Sequence, residues 1–123
     1  SLNRPPLNPP GWVFGPVWTL LYSLMGISLY LIGQQPDSQE RKRALRVFYF
    51  QLLLNACWTP AFFGFHKMGL ALLILFLLII SIILTIMHFI KIKKSAGLLL
   101  IPYVIWCCFA FYLNLGYLIL NNR

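Results

Sequence analysis

Residues 69–90 read GLALLILFLLIISIILTIMHFI and include no Asp, Glu, Lys or Arg. The hydrocarbon core of a bilayer is about 30 Å thick, and an apolar helix of about 20 residues crosses it. The run lacks the alternation of apolar and polar residues that marks the strands of a membrane barrel. It therefore predicts a transmembrane helix.

Three further runs of comparable length, none charged at its centre, occupy residues 11–33, 44–65 and 97–120. The chain is 60% hydrophobic and 10% charged, with a mean hydropathy of +0.79. A domain of this composition is insoluble unless lipid covers it. We predict an all-α fold: a polytopic transmembrane bundle of four helices, in a single domain over residues 1–123.

The net charge of +8 comes mainly from basic residues at the ends of the predicted helices. Most of them lie in or beside two loops, residues 34–43 and 91–96: Arg41, Lys42, Arg43, Arg46, Lys91, Lys93 and Lys94. The positive-inside rule places both loops in the cytoplasm. Short basic clusters at helix ends serve topology and anionic lipid headgroups, so nucleic acid is not an expected partner.

Several function classes lack the residues that they need. Ion-coupled transporters place a carboxylate inside a span, whereas the only acids here, Asp37 and Glu40, lie in a predicted loop. The sequence contains no HExxH, no CxxC and no phosphate-binding glycine loop. His88 has no second ligand at a metal-binding spacing, and an interfacial polar role is favoured for it. We expect no metal and no required cofactor.

Polar residues recur at helical spacing inside two of the runs. The second run carries Gln51, Asn55 and Thr59 at steps of four. The fourth run carries a stripe at steps of four and three: Tyr103, Cys107, Ala110, Asn114 and Tyr117. The favoured interpretation is interhelical hydrogen bonding among Gln51, Asn55 and Asn114, a common use of amides in membrane bundles.

Tryptophan has two possible roles here. Trp12 suits an interfacial anchor, whereas Trp18 and Trp106 lie well inside their runs, and Tyr22 follows Trp18 by one helical turn. Rings in such positions, together with Trp58, form a wall that suits a large flat apolar ligand. Plain packing of aromatic rings in the bundle core is equally compatible with the spacing.

Prolines interrupt three of the runs, at Pro16, Pro60 and Pro102. Each removes a hydrogen bond to a carbonyl one turn earlier, which for Pro102 is the carbonyl of Leu98. We predict kinks or loosened turns at these positions. Such kinks can open a cavity, although membrane helices often simply tolerate proline.

Three sequence blocks have a distinctive composition: residues 3–26, NRPPLNPPGWVFGPVWTLLYSLMG; residues 51–64, QLLLNACWTPAFFG; and residues 102–106, PYVIW, with Asn114 beyond. On these blocks the chain resembles the TspO/MBR family, which comprises bacterial tryptophan-rich sensory proteins and the mitochondrial translocator protein, or peripheral-type benzodiazepine receptor. That family has five transmembrane helices. The resemblance therefore implies that this chain corresponds to helices two to five, with the first helix preceding Ser1.

The resemblance also implies a ligand cavity within the bundle, capped by residues 1–10 with Pro9, Pro10 and Trp12 as a lid. Porphyrins are the implied ligands, with cholesterol at an outer site in animal members. The sterol motif is weak here, because Leu115 and Tyr117 followed by Arg123 fit only its loosest form. The implied ligand-binding residues are Trp18, Tyr22, Asn55, Trp58, Phe62, Trp106 and Ala110.

We therefore expect an integral membrane receptor or sensor for tetrapyrroles. One alternative is an enzyme that degrades protoporphyrin IX under light, with Trp18 and Trp106 as its catalytic residues and the porphyrin as its substrate. Another is a passive transporter of tetrapyrroles or sterols. We expect a homodimer, since Ser23, Gly26 and Gly33 form a face of small residues. The expected location is a bacterial cell membrane, with the mitochondrial outer membrane as the alternative.

Overall fold

The computed structural model describes residues 11–59 and 68–121, and in these ranges it contains helices and short turns without strands. The helices are α1 (Gly11–Gly33), α2 (Gln39–Thr59), α3 (Met68–Ile92), α4 (Lys94–Leu98) and α5 (Ile101–Asn121). The predicted lid, residues 1–10, lies outside the described residues, as do Pro60, Phe62 and Arg123.

Three stretches of the described chain are long and apolar enough to cross a membrane: Gly15–Gly33, Gly69–Ile92 and Lys94–Leu120. Helix α2 begins in a basic segment, and the predicted continuation of its apolar run, residues 60–65, lies outside the described residues. On α3 the apolar side chains continue onto the exposed face, including Leu73 and Phe76. Lipid is the solvent that suits such a surface, and the predicted all-helical membrane fold is confirmed.

Helix α3 lies at the centre of the packing, with contacts to α2, α4 and α5. Its buried side chains Leu75, Leu78 and Ile82 form much of the core. Phe89 stacks on Phe48 of α2, with ring centroids 5.7 Å apart and planes 10° from parallel. Helix α1 contacts α4. Helix α3 therefore presents a largely apolar face to the core, with Ser81 and Thr85 as its buried polar residues.

Helix α2 begins at Gln39, before the start at residue 44 that the apolar run predicted. The reason is a cap: the Ser38 hydroxyl accepts a hydrogen bond from the Arg41 backbone N–H at 3.0 Å. Arg41 then donates to the carbonyl oxygens of Gly33 at 3.2 Å and Gln35 at 2.9 Å, which closes the turn from α1. The basic segment predicted as a loop is therefore largely helical.

The fourth predicted span, residues 97–120, is divided. Lys93 is extended, α4 ends at Leu98, and α5 starts at Ile101 with Pro102 in its first turn, where the missing N–H costs no helical bond. Gly97 is buried against α3, where a Cβ atom would collide with the Ile90 side chain. Gly97 therefore allows α4 to pack closely on the end of α3, and α5 begins three residues after α4 ends.

Ser28 ties α1 to this turn. Its buried hydroxyl donates a hydrogen bond of 2.6 Å to the Ala96 carbonyl oxygen on α4. Because the Ala96 carbonyl is near the end of a short helix, it is free to accept from another element. The contact fixes the end of α1 that carries Gly33 beside α4, and so helps to set the position of Trp18 and Tyr22 further up the same helix.

Candidate ligand-binding site

A chain of hydrogen bonds joins α1, α2 and α5 in the interior of the bundle. The Tyr22 hydroxyl donates to Oδ1 of Asn55 at 2.8 Å, and Nδ2 of Asn55 donates to the Tyr103 hydroxyl at 2.6 Å. The Tyr103 hydroxyl in turn donates to Oε1 of Gln51 at 2.7 Å. Gln51 completes the chain with a weak contact of 3.9 Å from Nε2 to Sδ of Met25. We call these five residues the polar chain.

The polar chain leaves little conformational freedom to its amides. Asn55, Gln51 and Tyr103 are each almost completely buried. The Asn55 amide accepts on one side from α1 and donates on the other to α5, so its orientation follows from its two partners. Burial in a membrane bundle makes an unsatisfied amide costly, and the tyrosine hydroxyls therefore hold both amides in place.

Aromatic rings gather around Trp18, directly beside the polar chain. The Trp18 ring centroid lies 5.7 Å from that of Tyr22 and 6.3 Å from that of Trp58, both in tilted arrangements. The Tyr103 ring meets Trp18 edge to face at 6.4 Å. These distances fall within the range of favourable aromatic pairs. We call Trp18, Tyr22, Trp58 and Tyr103 the ring cluster.

Helical spacing explains how three separate segments build one centre. Gln51 and Asn55 are one turn apart on α2, and Trp18 and Tyr22 are one turn apart on α1, so each pair shares a face. Trp58, a further turn along α2, extends the Asn55 face. Tyr103 enters from the first turn of α5, where the break after α4 positions it.

The exposure of the cluster is uneven. Trp58 and Tyr103 are buried and Trp18 is partly buried, whereas Tyr22 keeps 46% of its surface exposed. Tyr22 is therefore both a member of the ring cluster and the accessible end of the polar chain. Its phenol is exposed on one side and hydrogen-bonded to the buried Asn55 amide on the other.

The remaining predicted site residues are distributed as follows. Trp106 is partly buried and lies 5.4 Å from Phe109 in a second ring pair on α5. Ala110 is buried one turn further along. Pro9, Pro10 and Phe62 lie outside the described residues, as does the side chain of Trp12.

Sequence reasoning missed the central role of Tyr103. Helical spacing puts Tyr103 in a polar stripe on the fourth run and predicts hydrogen bonding among Gln51, Asn55 and Asn114. In the structure the Tyr103 hydroxyl connects Gln51 to Asn55, while Asn114 is buried further along α5. The available signal was the position of Tyr103 in the stripe, at the end of its run nearest Pro102.

The two buried hydroxyl groups of α3 form hydrogen bonds within their own helix. Ser81 donates to the Leu78 carbonyl and Thr85 to the Ser81 carbonyl, both at 2.7 Å. Within residues 11–59 and 68–121, no three His, Cys, Asp or Glu side chains come together as metal ligands. The contacts that the ring cluster itself makes are ring packing and the hydrogen bonds of its two tyrosines.

Helices of this length and apolarity, around an interior of stacked rings and hydrogen-bonded amides, define a polytopic helical membrane protein with an aromatic polar centre. Residues 1–120 match the model of the TspO/MBR family. The chain belongs to the TspO/MBR family, which confirms the resemblance seen in the sequence.

Bacterial and animal proteins that carry the names of this family are similar to the chain. The chain is 41% identical to the tryptophan-rich protein TspO of Chlorobaculum tepidum, over 98% of this chain and 77% of that protein. It is 38% identical to the tryptophan-rich sensory protein of Cereibacter sphaeroides, over 100% of this chain and 77% of that protein. It is 40% identical to the translocator protein of Bos taurus, over 93% and 69% of the two chains.

Proposed function

We propose that this chain is an integral membrane receptor or sensor that binds a tetrapyrrole, with protoporphyrin IX as the test ligand, against the ring cluster. The observation that carries the proposal is the position of Trp18, which contacts rings from α1, α2 and α5 within 6.4 Å. A flat conjugated macrocycle gains most from several ring faces presented together, because offset stacking and burial add over its area.

The polar chain supports the same proposal through hydrogen bonding. Tyr22 presents an accessible phenol whose proton is directed at Asn55, so its oxygen lone pair remains available to a hydrogen-bond donor. A tetrapyrrole combines a flat apolar ring with pyrrole N–H groups and carboxylates at its edge. The ring cluster suits the first feature, and the accessible end of the polar chain suits the second.

Titration tests this proposal. Purified chain in detergent is titrated with protoporphyrin IX in the dark, and quenching of tryptophan fluorescence is followed to saturation. Trp18→Leu in the ring cluster, and Trp106→Leu one turn after Tyr103 on α5, are each expected to weaken binding by about threefold to tenfold, since an aromatic contact contributes about 0.5–1.5 kcal/mol. Tyr49→Leu removes an exposed ring from α2 outside the ring cluster and is the control, with unchanged affinity expected. Unchanged affinity in both tryptophan variants would remove the stacking argument.

A second candidate function is light-dependent breakdown of the bound porphyrin. It is supported by the direct contact of the Trp18 indole with the phenols of Tyr22 and Tyr103, a set of rings suited to accept or pass on an electron. The light-absorbing chemistry belongs to the porphyrin. Illumination of the titrated sample separates the candidates: a receptor returns the original pigment spectrum, whereas an enzyme gives a new product that depends on Trp18 and Trp106.

We propose further that the chain resides in a bacterial cell membrane as a homodimer. Gly26 on α1 is exposed, with no atom within 4 Å of the position that a Cβ would take, and Ser23 is exposed one turn before it. A face of small residues permits close approach of a second helix. Gly26→Leu is expected to convert dimer to monomer in light-scattering measurements of the purified chain, and a mass that does not change would contradict this interface.

A further inference from the structure

A groove runs between α2 and α3 on the outside of the bundle. It has a volume of about 310 Å³, and its walls include Phe50 of α2 and Leu77, Ile80 and Leu84 of α3. These four side chains are all exposed. Phe50 and Gln51 are neighbours on α2, so the groove lies on a different face of that helix from the polar chain. It is therefore separate from the ring cluster.

One end of the groove is cationic. Arg46 lines it and also lines an adjoining depression of about 500 Å³, together with Lys42, Leu45 and Tyr49. The two hollows therefore meet at Arg46. Helix α2 starts at Gln39 and α3 ends at Ile92, so this is the end of the bundle that carries the basic loops.

Lys42 and Arg46, the cations that line the two hollows, have no anionic partner within the described part of the chain. The acids of the whole sequence are Asp37 and Glu40 alone, and Asp37 pairs with Arg41 at 3.3 Å. Arg41 is also engaged with two backbone carbonyls of the α1–α2 turn. Lys42 and Arg46, in contrast, form no side-chain hydrogen bond or ion pair with another residue in 11–59 or 68–121. Both side chains are therefore available to an anion from outside the chain.

The dimensions of the groove match one leaflet of a bilayer. From Lys42 to Phe50 the helix rises about 12 Å, at about 1.5 Å per residue. Half of a hydrocarbon core measures about 15 Å. The cationic end therefore sits at headgroup depth when the apolar walls lie among acyl chains.

We propose that this groove binds one anionic phospholipid, with its phosphate between Lys42 and Arg46 and an acyl chain along Phe50, Ile80 and Leu84. Charge complementarity selects the lipid headgroup, and the concave apolar wall holds the acyl chain of the lipid against α2 and α3. The bound lipid covers the seam between the two helices and so forms part of the surface that the protein presents to the bilayer.

Native mass spectrometry of the purified chain tests the proposal. Dioleoylphosphatidylglycerol and dioleoylphosphatidylcholine carry the same acyl chains, so a comparison isolates the headgroup charge. Glycerol 3-phosphate supplies a phosphate without an acyl chain. We expect one phosphatidylglycerol retained per chain at concentrations where phosphatidylcholine and glycerol 3-phosphate are lost.

Charge variants test the cationic end. The double variant Lys42→Gln with Arg46→Gln is expected to weaken phosphatidylglycerol binding about thirtyfold, which corresponds to about 1 kcal/mol for each cation. Arg43→Gln with Lys94→Gln removes the same total charge from residues that line neither hollow, and less than threefold weakening is expected.

Apolar variants test the wall. Leu84→Trp fills the groove and is expected to abolish retention of the lipid. Ile83→Trp is the matched control, because Ile83 has nearly the same exposure, 45% against 43%, and lines neither hollow.

Four results would overturn the proposal. Equal retention of the two phospholipids would show that the lipid is ordinary annular lipid. Equal effects of the two charge variants would show that binding depends on the total positive charge of this end and not on Lys42 and Arg46. Competition by glycerol 3-phosphate at the same concentration would show a phosphate site without an acyl groove. A lipid-free dimer that Leu84→Trp dissociates would show that a second copy of the chain occupies the groove.

Discussion

Tyr103 holds the interior amides together at the residue scale. Its hydroxyl accepts from Asn55 and donates to Gln51, and its ring meets Trp18 edge to face. One side chain thereby couples the polar chain to the ring cluster. Any change at Tyr103 acts on the hydrogen bonding and on the position of the rings at once.

Tyr103→Phe keeps the ring and removes both hydrogen bonds. We expect the free energy of unfolding to fall by about 1–2 kcal/mol, because interhelical hydrogen bonds in membrane proteins average about 0.6 kcal/mol each and reach about 1.7. Reversible unfolding in mixed detergent micelles gives the measurement. Tyr49→Phe is the control, since Tyr49 is exposed on α2 and its loss of a hydroxyl should leave stability unchanged. Equal stability of the two variants would mean that the polar chain contributes nothing to folding.

The sequence allowed part of this centre to be predicted. Steps of four placed Gln51 and Asn55 on one buried face, and their interhelical hydrogen bonding followed from the cost of an unsatisfied amide in lipid. Which partner each amide would find could not be predicted, because that depends on the distance and rotation between helices. Tyr103 reaches Asn55 only because α5 begins anew after α4, a break that periodicity alone does not position.

At the scale of the elements, the α3–α4 junction depends on Gly97. A Cβ there would collide with the Ile90 side chain and lie 3.0 Å from the Ile86 carbonyl oxygen. Gly97→Ala is therefore expected to lower the free energy of unfolding by about 1–3 kcal/mol, the usual cost of overpacking. Gly69→Ala is the control, because Gly69 is exposed and nothing lies within 4 Å of its added methyl group. Thermal denaturation of both variants gives the comparison, and a Gly97→Ala protein as stable as Gly69→Ala would contradict the close packing.

Element boundaries show where apolar run length stops being informative. Run length correctly indicated helical membrane segments, yet α2 begins at Gln39, before its apolar residues, because Ser38 supplies a cap. The fourth run continues without a charged residue through Leu100, where the structure has a turn between α4 and α5. Pro102 was a local signal of that interruption, since proline has no N–H for a helical bond to the Leu98 carbonyl and is tolerated in the first turn of a helix.

At the scale of the whole molecule, the arrangement of charge predicts the orientation in the membrane. Lys42 and Arg43 near the start of α2, Lys93 between α3 and α4, and Lys94 at the start of α4 are all exposed. We expect trypsin to cleave at both segments in inside-out vesicles and at neither in right-side-out vesicles, because the positive-inside rule places both in the cytoplasm. Fragment masses identify the sites. Cleavage of the two segments from opposite sides would contradict the predicted topology.

Binding of a tetrapyrrole at the ring cluster is tested most directly by the affinity for protoporphyrin IX of two α1 variants, measured in the dark on purified protein. Tyr22→Phe removes the hydroxyl that holds Asn55. Tyr30→Phe removes the hydroxyl of a residue that is 64% exposed and lies outside the ring cluster. We predict saturable binding to the unaltered chain, about threefold to tenfold weaker in Tyr22→Phe for the loss of one hydrogen bond and unchanged in Tyr30→Phe. Absence of saturable binding, or equal affinities of the two variants, would contradict a tetrapyrrole site at Trp18 and Tyr22.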